Sequence, residues 1–308
     1  MATNVLISGG TGLVGQRLTD ILLQKGYTVS YLTRNKKGFA TFQKGNASIK
    51  LYAWNIKENF VEEEAIQKAD YLVHLAGAGV ADEKWTPLRK KEILESRTLS
   101  TQLLVDKINT IPNQIQAFVS ASAIGYYGLD TGNTWQYENM ESQAKDFLAE
   151  VVKAWEDAIF KTKEVRTVAI RIGVVLSKKG GALEKMAQPI RLYTGAALGS
   201  GLQYVSWIHI DDLCNIFIKA LEDKQMSGIY NGVAPNPVTN EVLTKTIGKV
   251  LNRPILPVNV PAFALKLMLG EMAGIVLGGN RVSSEKIEKT GYSFKFKEIN
   301  EAIKDLLA

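Results

Sequence analysis

Val5-Leu6-Ile7-Ser8-Gly9-Gly10-Thr11-Gly12-Leu13-Val14-Gly15 is the stretch on which the fold turns. An apolar run breaks into glycines at 9, 10, 12 and 15, and apolar residues then recur at Val14, Leu18, Ile21 and Leu22. That spacing predicts a buried strand, a tight turn and an amphipathic helix. Gly9 can take the positive φ of the turn, Gly12 lets the backbone approach a pyrophosphate, and Gly15 lets helix and strand pack closely. The free N–H groups and partial positive charge of the helix start attract phosphate oxygens. The reading is a dinucleotide site on Gly9, Thr11, Gly12, Leu13, Val14 and Gly15.

The first half of the chain repeats this rhythm. Strand-like runs fall at residues 5–8, 29–33, 71–76, 117–122 and 167–171, with helical patterns such as 86–109 and 146–159 between them. Ala117-Phe118-Val119 and Val168-Ala169-Ile170 are apolar throughout, as strands covered on both faces require. The alternation predicts an α/β protein with a Rossmann-type doubly wound parallel sheet. After Leu176 the rhythm breaks into Gly-rich loops, notably 195–201, and resumes at 207–221 and 228–232. From Pro235 onward Pro and Gly cluster with short apolar helices. We expect residues 1–176 and about 205–232 to form the dinucleotide-binding domain. Residues 177–204 and 233–308 form a smaller C-terminal substrate lobe in this reading.

The totals bound the rest. The 308 residues, 46% hydrophobic and 22% charged, suit one large or two unequal domains with a substantial core. No apolar run is long enough to span a bilayer, and no signal-like stretch precedes the first strand. The single cysteine, Cys214, excludes an internal disulfide framework and fits a reducing compartment, so a cytoplasmic location is expected. With only His74 and His209 beside it, a structural zinc site is not expected. The net charge of +6 is scattered among acids with no basic-aromatic groove, which argues against a nucleic-acid partner. A pocket for a phosphorylated small molecule accounts for the bias, and a homodimer is the candidate assembly.

NAD-specific folds place an acid at the end of the second strand to hold the ribose 2′-hydroxyl. Here that segment reads Leu32-Thr33-Arg34-Asn35-Lys36-Lys37, without a carboxylate. Arg34 can stack on adenine and pair with a 2′-phosphate through its guanidinium fork, and Lys36 and Lys37 add positive potential. NADP(H) is therefore the expected cofactor; the bland reading is a solvated basic turn.

Four stretches together resemble the extended short-chain dehydrogenase/reductase superfamily, which includes nucleotide-sugar epimerases and dehydratases. They are the glycine run, His74-Leu75-Ala76-Gly77, the run from Val119 to Gly128 (Val-Ser-Ala-Ser-Ala-Ile-Gly-Tyr-Tyr-Gly) and Trp207-Ile208-His209-Ile210-Asp211-Asp212. More closely, the chain is similar to an atypical subgroup of epimerase-family proteins. The shared features are Ala76-Gly77-Ala78-Gly79, Trp85, Ser96-Arg97, Asp146-Phe147-Leu148-Ala149-Glu150, Trp155-Glu156 and, in a short C-terminal domain, Arg281 and Gly291-Tyr292-Ser293-Phe294. The resemblance covers essentially the whole chain. It implies cofactor contacts from Leu75, Ala76, Gly77 and Arg97, and an epimerase- or reductase-like activity on a small polar, in some relatives nucleotide-linked, substrate.

The superfamily's usual chemistry uses a Tyr-x-x-x-Lys pair on the helix after the fifth strand, the lysine lowering the pKa of the proton-transferring tyrosine. Here that segment reads Phe147-Leu148-Ala149-Glu150-Val151-Val152-Lys153, and neither register supplies the pair. Lys153 is one step off and is expected to face solvent. Ser122 matches the serine that hydrogen-bonds the substrate oxygen, with Ser120 two residues earlier on the same face. Tyr126 and Tyr127 follow at the carboxyl end of the strand as alternative proton donors, with aromatic packing as the competing role for at least one. Arg97 replaces the superfamily's asparagine, and its guanidinium could stand in for the lost lysine or bind a substrate anion; a surface arginine is the rival reading. His74 reads as a satisfied core histidine, and Asp211 or Asp212 as a helix N-cap. Arg171 and Gly173 lead toward the substrate lobe, and the 195–201 loop is either a ligand clasp or a lid. A protein that binds NADPH without catalysis, as a sensor or structural partner, is the alternative function.

Overall fold

A computed structural model describes residues 2–34 and 41–308. The first part of the chain runs β1 (Asn4–Ser8), α1 (Leu13–Gln24), β2 (Thr28–Thr33), β3 (Thr41–Lys44), β4 (Ala47–Asn55), β5 (Phe60–Val61), α2 (Glu63–Gln67), β6 (Tyr71–His74) and α3 (Pro87–Thr110). Then come β7 (Ala117–Ala123), β8 (Trp135–Gln136), α4 (Phe147–Ile159), β9 (Arg166–Ile172), β10 (Val174–Leu176) and α5 (Ala182–Arg191). The last part runs β11 (Tyr204–Val205), β12 (Trp207–His209), α6 (Ile210–Glu222), β13 (Gly228–Gly232), β14 (Val238–Thr239), α7 (Asn240–Val250), α8 (Ala262–Leu269), α9 (Ala273–Leu277), β15 (Arg281–Val282), α10 (Glu285–Glu288) and α11 (Ile299–Leu307).

The main sheet has the order β13-β9-β7-β6-β1-β2-β4-β3, with β5 added beside β4. Its strands are parallel except β3 and β5 at the β4 edge. The chain moves outward from β1 to β2 and β4, then crosses back to β6 and continues outward the other way. This reversal between β1 and β6 opens a crevice at the carboxyl ends of the strands, where doubly wound sheets bind ligands. Val5, Leu6, Ile7, Leu72, Val73, Phe118 and Val119 are fully buried, because helices cover both faces of the sheet. The doubly wound α/β reading therefore holds.

A second apolar cluster joins Leu183, Ala187 and Ile190 of α5 to Leu243 and Ile247 of α7 and to Ile299 and Ile303 of α11. Ile287 and Phe294 return to the main core and tie the C-terminal segment back to the sheet.

Three sequence expectations are corrected. β6 ends at His74, so Leu75 and Ala76 lie in the following loop. β4 was not anticipated: its buried Ile49, Tyr52 and Trp54 are interleaved with exposed and half-buried residues, so no clean apolar run announces it. The cap of α6 is His209, whose Nδ1 accepts the Asp211 N–H at 3.1 Å, rather than Asp211 or Asp212. Those carboxylates are drawn elsewhere. Asp211 accepts two bonds from Arg17, and Asp212 accepts the Lys295 and Phe296 N–H groups.

Candidate functional site

The glycine turn sits at the sheet's reversal point, and its shape is dictated by close approach. Gly9 has φ +76°, and a Cβ there would lie 2.8 Å from the Ala76 nitrogen and the Leu75 carbonyl carbon. A Cβ on Gly15 would lie 2.3 Å from the Gly9 oxygen, so helix and turn touch through backbone. At Gly12 the nearest atom is the Gly9 oxygen at 3.3 Å, which leaves that side open. No side chain caps α1, and its first hydrogen bond runs from Gln16 N–H to the Gly12 carbonyl. The N–H groups of Leu13, Val14 and Gly15 have no acceptor within the helix, and Thr11 and Gly12 are exposed beside them. This is an anion cradle. The 177–181 loop overhangs it, since a Cβ on Gly181 would sit 3.0 Å from Leu13 Cδ2. Arg34 follows β2 directly and is exposed. Lys36 and Lys37 lie outside the described residues.

Across the crevice, Leu75, Ala76 and Gly77 leave β6, with the Leu75 N–H donated to the Ser8 carbonyl. Arg97 of α3 lies against this loop: a Cβ on Gly77 would be 3.4 Å from Arg97 Cγ and Cζ. Among the described residues its one hydrogen bond goes to the Ile93 carbonyl at 2.9 Å, and its guanidinium carbon lies 5.3 Å over the Trp155 ring. Among the described residues no carboxylate pairs with it. Burial, with Arg89's charge as a lesser cause, pushes its pKa down to about 10. His74 beneath it bonds Ser8 Oγ at 2.6 Å through Nδ1 and Thr101 Oγ1 at 3.0 Å through Nε2. Burial, then Arg97's charge, lowers the histidine to about 3, so it is a neutral core residue as expected.

The Ser122 hydroxyl is buried and donates to Glu156 Oε1 at 2.6 Å. Glu156 in turn accepts Arg171 Nε and Nη2, both at 2.8 Å. Arg171 Nη1 donates to the Tyr127 hydroxyl at 3.1 Å, and that hydroxyl donates to Asn231 Oδ1 at 2.8 Å. Tyr127 is buried, which raises its pKa to about 12. Tyr126 is half-buried with its ring 3.4 Å from the Arg171 guanidinium carbon, and its oxygen accepts the Ser142 N–H at 3.5 Å. Ser122, Tyr126 and Tyr127 thus meet in one network, with Arg97 standing apart on α3. Ser120, fully buried, bonds the Ala121 carbonyl.

Sequence reading had not assigned roles to Glu156 or Asn231. A signal existed: Glu156 is the one acid on the buried stripe of α4 formed by Val151, Val152, Trp155 and Ile159, and Arg171 interrupts the apolar run of β9. Opposite charges placed in two buried elements need each other.

Asp146 caps α4, accepting the Leu148 and Ala149 N–H groups at 3.1 Å. The helix then presents Leu148 and Val152 to Gly125, whose Cβ would lie 3.5 and 3.7 Å from them. That surface carries no proton donor. Lys153 departs from the expected solvent-facing position: it is half-buried, and its Nζ folds back to the Ala144 carbonyl at 2.9 Å. The 195–201 loop is pinned by backbone bonds from Gly199 and Val260 and by Asn240 Oδ1 on the Leu198 N–H. Two contacts join the C-terminal half to the 77–90 segment: Lys90 to Glu271 at 2.6 Å, and Lys185 Nζ to the Ala81 carbonyl at 3.0 Å.

A doubly wound α/β sheet with a glycine turn, an uncapped helix start and a roofed carboxyl edge defines a dinucleotide-fold protein. The chain belongs to the NAD dependent epimerase/dehydratase family, whose model matches residues 5–231; a domain of unknown function, DUF1731, matches residues 260–306. It is 38% identical to the chloroplastic epimerase family protein SDR39U1 homolog of Arabidopsis thaliana, over 98% of this chain and 86% of that one. It is 33% identical to the epimerase family protein YfhF of Bacillus subtilis, over 99% and 98% of the two chains. Among solved structures it resembles the human epimerase family protein SDR39U1 with NADPH, at 31% identity, TM-score 0.86 and 99% coverage of both chains. No described helix is long and apolar enough to cross a membrane.

Proposed function

We propose that the chain binds NADP(H) across the crevice and acts as an epimerase- or reductase-like oxidoreductase on a small polar substrate, nucleotide-linked molecules being one such class. The observation that carries the reading is the uncapped start of α1 behind a turn that tolerates no side chain at Gly9 or Gly15. The NADPH in the human relative's crystal structure supports it.

In this reading Gly9, Thr11, Gly12, Leu13, Val14 and Gly15 hold the pyrophosphate, and Arg34 takes the 2′-phosphate. Leu75, Ala76 and Gly77 form the opposite wall. Arg97 supplies there the positive charge that a lysine on α4 supplies in the superfamily. When bound, the nicotinamide provides or accepts a hydride at C4. Tyr126 carries the proton, because its hydroxyl donates no hydrogen bond among the described residues. Ser122 and Tyr127 act as positioning residues, fixing the Glu156–Arg171 pair on which the Tyr126 ring rests. A cytoplasmic location and a homodimer, the latter open to sizing chromatography, complete the reading.

Calorimetric titration with NADPH and NADH tests the cofactor assignment. NADPH should bind about tenfold more tightly, equivalent to ~1.4 kcal/mol, and Arg34→Ala should erase the difference. Equal affinities in the wild type would overturn it.

A second reading, a silent NADPH-binding sensor or structural partner, is favoured by the apolar surface of Leu148 and Val152 where the catalytic pair is absent. A carbonyl and nucleotide-sugar panel separates the two. Oxidation of NADPH that falls with Tyr126→Phe supports the enzyme; tight binding without any turnover supports the silent protein.

A further inference from the structure

Five buried side-chain atoms among the described residues lack a hydrogen-bond partner, and three of them, Thr131 Oγ1, Asn280 Oδ1 and Arg281 Nε, fall on one pair of segments. The segments are joined by the Thr131 N–H on the Gly279 carbonyl and by the pairing of β15 with β8, which sets Arg281 opposite Trp135. The Arg281 guanidinium carbon lies 4.3 Å over the Trp135 ring and 4.9 Å over the Tyr204 ring. Arg281, Trp135 and Tyr204 are each half-buried, so the guanidinium is held in place yet reachable. No carboxylate pairs with Arg281 among the described residues, and it donates no hydrogen bond there. Native arginines that only pack satisfy their buried donors, because an unmade bond costs the full desolvation of the group.

The location is next to the proposed site. Ser283, two residues beyond Arg281, accepts Asn231 Nδ2 at 3.0 Å, and Asn231 accepts the Tyr127 hydroxyl. The β8–β15 pair therefore lies beside the carboxyl ends of β7 and β13.

We infer that Arg281 is the anion-recognition residue of the C-terminal lobe, its aromatic-held guanidinium taking a carboxylate or phosphate group of the substrate. The inference rests on the reading of that lobe as the substrate lobe. Stacking on two rings restrains the planar fork, so little order is lost when it engages a bidentate oxyanion.

Inorganic phosphate and acetate are titrated separately into the NADPH-saturated protein, with chloride as the ionic-strength control, and read by calorimetry. At least one should bind saturably, and which one identifies the group. Arg281→Gln should weaken that binding at least tenfold; Arg281→Lys, which keeps the charge and loses the fork, should weaken it less. NADPH affinity and melting temperature should stay close to wild type in the lysine variant, which guards against a glutamine variant that fails to fold. Absence of saturable binding by either anion, or undiminished binding in a folded Arg281→Gln protein, would overturn the assignment. Loss of NADPH binding in the wild type would instead sink the cofactor reading, leaving the comparison of variant with wild type to be made on the ligand-free protein.

Discussion

Arg171 and Arg97 are two guanidiniums packed against neighbouring residues of one helix, and they are treated in opposite ways. Arg171 meets Glu156 through two hydrogen bonds of 2.8 Å, while Arg97 lies over Trp155 with a single carbonyl acceptor. Burial opposes the charge of both. At Arg171 the Glu156 carboxylate more than offsets it and the pKa rises; at Arg97 no counter-charge answers among the described residues, and it falls to about 10. Successive helix residues point about 100° apart, so Trp155 and Glu156 serve different sides of α4. One side is finished as structure. The other side holds a cation without an ion-pair partner among the described residues, which is the state the proposed reading asks of a binding residue.

The largest way to break this contrast is to remove the finished partner. Glu156→Ala leaves Arg171 buried and uncompensated and also strands the Ser122 hydroxyl, so unfolding free energy should fall by about 3–5 kcal/mol in urea titrations. The double variant Glu156→Ala/Arg171→Met should recover much of that loss. A drop below ~1 kcal/mol for Glu156→Ala would mean that the pair is not held in a desolvated core.

The same contrast marks how far the sequence could be read. Gly9, Gly12 and Gly15 were legible because strand, turn and helix are local, and their spacing alone fixes which backbones touch. The buried strands were legible from continuous apolar runs. Ser122, Tyr127, Glu156, Arg171 and Asn231 are linked across 15 to 104 residues, and nothing local announces that Ser122 will donate into the Glu156–Arg171 pair rather than to a substrate. The His209 cap was missed for a related reason: two aspartates beside it are the commoner caps, but Arg17 and the Lys295 and Phe296 amides claim them. Local geometry was readable, and competition between distant partners was not.

A smaller effect comes from the histidine under Arg97. His74 is neutral in the folded protein, held at about 3 by burial and secondarily by Arg97's charge, against about 6.5 in an unfolded chain. As pH falls, the unfolded chain takes up the proton first. The stability is therefore full above about pH 6.5 and is lost from there down toward pH 3. At pH 5 the loss from His74 should be about 2 kcal/mol. His209, also lowered by burial, adds loss in the same direction, so His74→Gln should flatten the profile without abolishing its slope. An unchanged slope in that variant would show that His74 takes a proton in the fold.

The finest test acts on Arg97 itself. Arg97→Leu removes a half-buried charge that has no ion-pair partner among the described residues, so stability should stay within about 1 kcal/mol of wild type, far from the cost at Glu156. NADPH affinity should fall about tenfold, or ~1.4 kcal/mol, because the charge beside Gly77 is gone. The acid loss from His74 should still begin near pH 6.5, where the unfolded chain takes up its proton, but should end at a higher pH and be smaller in total, since one of the two causes holding its folded pKa down is removed. These readouts must separate if the two arginines differ as their partners imply. A variant that loses several kcal/mol of stability while binding NADPH normally would make Arg97 a structural residue like Arg171, and would leave the crevice without a protein cation at Gly77.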